Sequence, residues 1–172
     1  MRTDRPPFSD IRVRRALFMA TDFQSILQNV FGGRGLILSW PQIYTKTNAA
    51  LYLGLDDPEM PASVKELYVY NPVKAKQLLK EAGYPNGFQT EALIDQTQVD
   101  QYSIYKDMWA KVGVELKLNV KEAQARVALY NAKDYVAITR GGPGTVGQFY
   151  ALPALTPKTL TNTSIIDDPI IN

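Results

Sequence analysis

Two residue types that build most catalytic and metal sites are absent from this sequence, which contains no cysteine and no histidine. The absence of cysteine excludes a disulfide framework and a thiol nucleophile. The absence of both excludes Ser-His-Asp and Cys-His catalysis and metal sites built on imidazole or thiolate. An oxygen-only site for calcium or magnesium stays open, but Asp56-Asp57 and Asp167-Asp168 each precede a proline, which is typical of turns. We therefore expect neither a metal nor a cofactor.

Long apolar runs and an excess of one charge are lacking as well. Lys and Arg number 19 against 17 Asp and Glu, and a net charge of +2 is too small to indicate a nucleic-acid partner. No run approaches the roughly 18 apolar residues of a membrane span, and no apolar leader follows Met1. Taken alone, the lack of a membrane span and of a leader predicts a cytoplasmic protein. That prediction does not hold if the chain is a fragment of a longer protein. The 172 residues, 45% of them hydrophobic, suit one globular domain.

The first third of the chain carries a helical pattern followed by a long loop. Spacings of three to five between apolar residues predict helices at about residues 10–20 and 23–31, begun by Ser9 and Asp22 and ended by a glycine cluster. The predicted stripe comprises Ile11, Ala16, Leu17, Ala20, Phe23, Ile26, Leu27 and Val30. Residues 36–70 are predicted to be rich in loops, and a loop of this length is often functional.

Helices and strands alternate in the remainder of the chain. Asn71 and Pro72 are typical of a helix start, and Gly83 is typical of its left-handed end. The pattern then predicts a strand at 89–94, a helix at 98–112, a strand at 114–120, a helix at 122–132 and a short buried strand at 135–139. This order predicts an α/β fold with a layered sheet flanked by helices.

Three segments carry a family resemblance. The run RPPFSDIRVRRAL from Arg5 to Leu17, followed by Ala20-Thr21-Asp22, resembles a recurrent segment of the family 5 bacterial solute-binding proteins, of the oligopeptide, dipeptide and nickel type. The run from Tyr70 to Phe88 is similar to a second segment of that family, and Trp109 to Val120 resembles a third less closely. The resemblance extends from about residue 5 to about residue 140.

The resemblance implies that the chain, residues 1–172, is a single C-terminal lobe of a protein with two lobes of the type II periplasmic-binding-protein kind, whose N-terminal part is absent here. The lobes would close around a ligand. It further implies the substrate-binding component of an ABC transporter, which captures a peptide or other small solute, delivers it to the permease and performs no chemistry. The expected location is periplasmic or extracellular, at the membrane where a lipid anchor is present. An isolated lobe is expected to self-associate through its exposed cleft face.

The stretch after the last predicted strand is the expected ligand site. In peptide-binding relatives an aromatic segment and an acidic residue follow that strand, and the acidic residue holds the amino terminus of the peptide. Here Arg140 is followed by Gly142, Pro143 and Gly144, and Thr145 takes the acidic position. A hydroxyl is a poor partner for a buried ammonium group. We therefore expect a neutral or anionic solute, such as a sugar or a blocked or acidic peptide, unless the stretch is only a surface turn.

Aromatic and basic residues elsewhere leave alternatives open. Trp40 and Tyr44 lie in the long loop and would either stack on a ligand or pack within the protein. The run from Arg12 to Arg15 is expected to form salt bridges and to cap neighbouring strands, with permease docking as the alternative. Trp109, with its aromatic helix neighbours Tyr102 and Tyr105, is expected to lie in the core.

Two other functions compete with the solute-binding one. The first is an extracytoplasmic α/β enzyme domain that uses carboxylates. The second is a solute receptor of the same fold that serves no importer. Turnover of the ligand would identify the enzyme, and capture of a permease would separate an importer component from a receptor.

Overall fold

The computed structural model describes residues 1–38, 52–140, 162 and 164–167. The elements in chain order are α1 (Ile11–Met19), α2 (Phe23–Phe31), α3 (Ala62–Lys65), a 3₁₀ turn (Glu66–Tyr68), α4 (Pro72–Glu81), β1 (Phe88–Asp95), a further 3₁₀ turn (Gln96–Gln98), α5 (Val99–Ala110), β2 (Val114–Lys121), α6 (Ala123–Asn131) and β3 (Ile138–Thr139). Over these residues, no helix is both long and apolar enough to cross a membrane. The α/β fold predicted from the alternating pattern is confirmed.

A parallel sheet organises the described part of the chain, with strand order β2-β1-β3. β1 pairs with β2 over its whole length, from Phe88 opposite Val114 to Asp95 opposite Lys121. β3 pairs with the other edge of β1, where Leu93 lies opposite Thr139. Parallel neighbours need crossover connections, and here these are α5 and α6. The carboxyl ends of all three strands therefore meet at one edge of the sheet.

The core lies on one face of the sheet, beneath α1, α4 and α5. Period-two alternation sends Ala92 and Ile94 of β1, with Val114 and Leu116 of β2, toward these helices. Trp109 of α5 joins the same cluster. Members from the other two helices include Val13, Ala16, Leu17, Met19, Ala75 and Leu79. The core therefore joins helices from the first half of the chain to strands of the second half.

The first residues of the chain are tied to the edge strand β3. The backbone N–H of Arg2 donates to the carbonyl of Ala137 at 2.8 Å. The Arg2 guanidinium is buried and donates to the carbonyls of Lys133 at 2.7 Å and Tyr135 at 3.1 Å. On the other side, the backbone N–H of Thr3 donates to the carbonyl of Ser164 at 2.8 Å. Residues 1–3 therefore lie between β3 and the segment at 164–167.

Most predicted helix and strand positions are confirmed, with corrections at their ends. The cap of α1 is Asp10, not Ser9, because the Asp10 carboxylate accepts from the backbone N–H of Arg12. Two members of the predicted stripe, Ile11 and Val30, are 58% and 52% exposed, so the buried face is narrower than predicted. The long loop contains α3 and a 3₁₀ turn, and the last strand is only Ile138–Thr139.

Two glycines allow a close backbone contact at the amino end of the β1–β2 pair. Gly87 has a φ of +76°, and a Cβ built on it would lie 1.9 Å from the carbonyl oxygen of Gly113. Gly113 has a φ of +89°, and a Cβ built on it would lie 3.1 Å from the carbonyl oxygen of Asn86. The turn before β1 and the turn before β2 therefore touch through their backbones, which sets the register in which the two strands begin.

Gly87→Ala is expected to destabilise the protein strongly, because the added methyl group meets a backbone carbonyl that cannot move without shifting β2. Gly83→Ala is the matched control, since Gly83 has a φ of +92° but no atom within 4 Å of its added Cβ. The control should lose about 1–2 kcal/mol from backbone strain alone, and Gly87→Ala should lose at least about 2 kcal/mol more. Urea unfolding measures both. Equal losses of unfolding free energy in the two variants would contradict the close contact between Gly87 and Gly113.

A buried hydrogen bond joins α5 to the end of α1. The indole N–H of Trp109 donates to the hydroxyl of Thr21 at 2.9 Å, and that hydroxyl donates to the carbonyl of Leu17 at 2.8 Å. Thr21→Val keeps the shape but leaves the indole N–H without an acceptor, so we expect a loss of about 1–3 kcal/mol in the free energy of unfolding. Thr21→Ser keeps the hydroxyl and should lose clearly less. Urea unfolding followed by tryptophan fluorescence compares the two, and equal losses would show that the hydrogen bond contributes nothing.

Candidate functional site

The carboxyl ends of β1 and β3 form the candidate site. Asp95 is the last residue of β1, and Arg140 follows the last residue of β3. Because Leu93 lies opposite Thr139, Arg140 follows at the level of Ile94, one residue before Asp95. After β1 the chain turns toward β2, away from β3, so these ends border the point where the strand order reverses. Open parallel sheets bind ligands in the crevice outside such a point.

Asp95 is the best-connected side chain at this edge. One carboxylate oxygen accepts from the backbone N–H of Thr97 at 3.0 Å and from its hydroxyl at 2.5 Å. The other oxygen accepts from Nε of Arg126 on α6 at 2.9 Å. These contacts, the Thr97 hydroxyl first, hold the pKa of Asp95 below its usual range. Asp95 is therefore a carboxylate with both oxygens occupied, and it fixes the start of the 3₁₀ turn and the position of Arg126.

Arg126 is held at the strand end by α6. Glu122 caps this helix by accepting from the backbone N–H groups of Gln124 and Ala125. The Arg126 side chain is only 14% exposed, and Nε is its single contact with Asp95. Over the described residues its terminal amino groups make no hydrogen bond. Its four terminal N–H donors therefore have no partner among the described residues, although solvent still reaches them.

Tyr102 enters the same region from the first half of α5. The residue is buried, and burial, with a smaller contribution from Tyr105, raises the pKa of its phenol to about 12. Arg140 and Arg126 lower this pKa by smaller amounts. At neutral pH the hydroxyl of Tyr102 is protonated and can donate a hydrogen bond.

Only one of the sequence-predicted ligand residues falls in the described part of the structure. Arg140 is exposed and directly follows β3, at the edge where a ligand would bind. The other six lie outside the described residues. These are Trp40, Tyr44, Gly142, Pro143, Gly144 and Thr145. Within residues 1–38 and 52–140 no group of three carboxylates could hold a metal ion.

Sequence reasoning missed two of the four side chains that meet here. Asp95 and Arg126 were not singled out, because they are 31 positions apart and only the crossover through α5 and β2 brings them together. Tyr102 was predicted only as a core residue, and it is buried as predicted. The available signal was Asp95 at the end of a predicted strand of an α/β pattern, which is where such sheets place polar ligand contacts.

The basic run on α1 is structural. Arg12 forms an ion pair with Asp10 at 2.6 Å and donates to the carbonyl of Glu81 at the end of α4 at 2.8 Å. Arg15 forms an ion pair with Glu66. The predicted salt bridges are confirmed. The predicted capping of strands is wrong, because the acceptors lie at helix ends, in a 3₁₀ turn and, for Arg14, in the turn before α1.

The ion pair of Asp95 predicts a pH-dependent contribution to stability. Its pKa is lower in the folded protein than in the unfolded chain, so its contribution is complete above the unfolded value of about 4 and is lost as the pH falls through the lower folded value. We expect Asp95→Asn to unfold at a lower urea concentration than wild type at neutral pH, with the difference shrinking in more acidic solution. Asp107→Asn, on an exposed position of α5, is the control and should stay close to wild type. A difference that does not shrink at all between neutral pH and about pH 3 would contradict the assignment.

Comparison with known protein families gives a match over most of the chain. A family model described as Bacterial extracellular solute-binding proteins, family 5 Middle, matches residues 1–158. Heme-binding protein A of Haemophilus influenzae is 31% identical over 156 residues, which cover 86% of this chain and 24% of that protein. Glutathione-binding protein GsiB of Escherichia coli (strain K12) is 28% identical over 137 residues, with 77% and 24% covered. The chain thus spans about a quarter of the length of these curated relatives.

Solved structures show the same fold. HbpA2 from Haemophilus parasuis superposes with a TM-score of 0.61 at 29% identity, over 79% of this chain and 26% of that one. OppA of Haemophilus influenzae, in complex with RPPGFSPFR, gives a TM-score of 0.77 at 21% identity, over 99% of this chain and 34% of the other. The second likeness shows the fold alone. Together they show that the chain has the fold of type II periplasmic binding proteins.

Proposed function

Because this chain belongs to family 5 of the bacterial extracellular solute-binding proteins, we propose that the protein is the substrate-binding component of an ABC importer. It would capture a small solute in a cleft between two lobes and deliver it to the membrane permease. The chain described here would form one of these lobes, and the resemblance of its motif segments favours the C-terminal one. Proteins of this family are periplasmic, and we extend that location to this protein, with membrane association where a lipid anchor is present.

The observation that supports this proposal most directly is the polar cluster at the strand ends. Asp95, Arg126 and Arg140 lie outside the carboxyl edge of a parallel sheet, where such sheets bind ligands. A cleft that closes between lobes would place a solute against this edge.

Binding without chemistry is the better-supported function. The relatives matched by sequence are solute-binding transport proteins, not enzymes. A carboxylate enzyme would need two or more acids that converge on one cavity with capacity to spare. Several described acids instead hold structural hydrogen bonds, and these are Asp4, Asp10, Asp22, Glu66, Asp95 and Glu122. We therefore propose that the protein is not an enzyme.

The solute class we propose is small and acidic or neutral. Arg140 has no ion pair with a described carboxylate and directly follows the edge strand, so it favours an anionic group. The ligands named for similar proteins fit this range: glutathione for GsiB, and agropinic and mannopinic acid for two solved structures. Peptides are named for others, such as DppA of Helicobacter pylori with the peptide STSA. The binding residues predicted in the stretch Gly142 to Thr145, and Trp40 with Tyr44, remain part of this proposal.

Thermal-shift screening of the full-length protein tests the function. The panel contains glutathione, mannopinic acid, the peptide STSA, a neutral disaccharide and divalent metal ions. A ligand that binds the native state raises the melting temperature with its concentration, and we expect this for an acidic solute. Capture of a permease from membranes would support the importer over a receptor. Turnover of the ligand would overturn the proposal, and a response to STSA alone would show that the other lobe supplies an anchor for the amino terminus.

Arg140→Gln is expected to weaken binding of an acidic solute by about tenfold or more, since hydrogen bonds from charged donors contribute about 1.5–3 kcal/mol. The melting temperature without ligand should stay unchanged because Arg140 is exposed. Arg34→Gln, an exposed arginine after α2, is the matched control and should bind as wild type does. Calorimetric titration measures both, and unchanged affinity in Arg140→Gln would remove this residue from the site.

A further inference from the structure

Large apolar side chains are exposed where the end of α1 meets the start of α4. Val73, in the first turn of α4, is 78% exposed, the highest value among the large apolar side chains of the described residues. Val69 and Tyr70, just before that helix, are 59% and 38% exposed. Phe18 of α1 is also exposed, and its ring meets the ring of Tyr68 edge-on at 5.8 Å. Exposed apolar groups gathered in one place mark an interaction surface.

The two helices present one continuous outer face. At one end, the backbone N–H of Asn71 donates to the carbonyl of Met19 at 2.8 Å. At the other end, the guanidinium of Arg12 donates to the carbonyl of Glu81 at 2.8 Å. The start of each helix is therefore joined to the end of the other, and the helices lie antiparallel on the sheet. Their outward side chains belong to the same surface, which we call the α1–α4 outer face.

Two lysines extend the exposed face of α4 beyond its apolar start. Lys76 and Lys80 follow Val73 by three and seven residues, a spacing that puts all three on one side of a helix. Ala75 and Leu79 occupy the opposite side and are buried in the core. Both lysines are exposed, and neither forms an ion pair or a hydrogen bond with a described residue. Their ammonium groups are therefore available to an external partner.

Positive charge is concentrated on the α1–α4 outer face. The whole chain has a net charge of only +2, whereas α1 contains no acid and residues 65–81 contain only two. Asp10 offsets Arg12, but Glu66 is shared between Arg15 and Lys74 and therefore offsets only one of them. An excess of positive charge remains, and it favours an anionic partner. The basic residues of α1 and of residues 65–81 are Arg12, Arg14, Arg15, Lys65, Lys74, Lys76 and Lys80.

The kind of cation that is available distinguishes a lipid surface from a protein partner. Interfaces between proteins are enriched in arginine and depleted in lysine. Here Arg12 and Arg15 are held in ion pairs, and the cations without a described partner are lysines. A lysine lays its apolar stem along a surface and keeps its ammonium group in water, which suits the boundary of a membrane. Tyrosine, represented by Tyr70, is enriched at the same boundary.

We propose that the α1–α4 outer face binds an anionic membrane surface. Val73 and Tyr70 enter the headgroup region, and Lys76 and Lys80 lie against the lipid phosphates. Burial of apolar groups and attraction to anionic lipids together determine the strength of such binding. The inference depends neither on the solute nor on the importer, because none of these side chains belongs to the strand-end site.

Flotation with lipid vesicles tests the inference on the full-length protein, prepared without lipid modification. The vesicles contain equal parts of phosphatidylglycerol and phosphatidylcholine, and vesicles of phosphatidylcholine alone are the reference. We expect the protein to float with the anionic vesicles and not with the reference. Binding should weaken when sodium chloride is raised from about 0.1 M to about 1 M, since the screening length falls from about 10 Å to about 3 Å.

Variants identify the surface that binds. Removal of both lysines in Lys76→Gln with Lys80→Gln should weaken vesicle binding about fivefold for each lysine. Val73→Asp should weaken it further, because it replaces an apolar contact with a charge that the headgroups repel. An aspartate is favourable in the first turn of a helix, so this variant should fold.

The matched control is Lys106→Gln with Lys121→Gln. It removes the same charge from other surfaces, since Lys106 faces β2 and Lys121 ends that strand. Its vesicle binding should stay close to that of wild type. Melting temperatures, alone and with the solute identified by thermal shift, should be unchanged in every variant. Loss of the solute response with vesicle binding intact would count against the proposed function and leave this inference standing.

Three outcomes would overturn the inference. Equal losses in the two double-lysine variants would show that net charge matters and that this face does not. Flotation that is as strong with phosphatidylcholine alone and insensitive to salt would refute recognition of an anionic surface. Flotation only with vesicles that contain the permease, lost in Val73→Asp, would show that the face docks a protein instead of lipid.

Discussion

Parallel pairing along both edges of β1 is the constraint on which the rest of the described structure depends. Parallel neighbours cannot be joined by a tight turn, so each strand must be followed by a crossover. α5 and α6 supply these crossovers, and they return the chain to the amino end of the sheet each time. The loops that leave the strands are thereby collected at the opposite edge. Asp95, Thr139 and Arg140 meet there because of connectivity, before any side-chain contact is considered.

The two faces of the sheet carry different kinds of contact. One face receives apolar residues from α1, α4 and α5, including Leu17, Leu79 and Trp109, and accounts for most of the buried core. The other face carries α6 and with it Arg126, whose ion pair with Asp95 is the polar contact between that helix and the end of β1. Stability therefore rests mainly on the first face, which leaves the second free to position charged groups.

Local signals in the sequence were sufficient to predict the helices and strands but not the contacts between them. Asn71 with Pro72 marked the start of α4, and the alternation from Val114 marked β2, because capping and period-two burial are properties of short segments. The cap of α1 was misplaced by one residue, since Ser9 and Asp10 both carry suitable oxygens and only the backbone geometry chooses between them. β3 is shorter than predicted, because its length is set by pairing with β1.

The candidate site was predictable only in outline. Arg140 was identified because it follows a predicted strand, and a family resemblance pointed to that stretch. The pair of Asp95 and Arg126 could not be found in this way, because neither residue belongs to a motif and their contact depends on how α6 lies across the sheet. Whether side chains from separate crossover connections converge depends on the topology of the sheet. A pattern along the amino-acid sequence does not reveal that topology.

The attachment of residues 1–3 to β3 has a mechanical consequence. Arg2 donates from its backbone and its guanidinium to carbonyls of the segment 133–137, which leads directly into β3, while Thr3 is bonded to Ser164 on its other side. A displacement of residues 1–3 would therefore disturb the segment that leads into β3, the strand that ends beside Arg140. Any coupling between that displacement and a ligand at the strand ends would act equally in both directions.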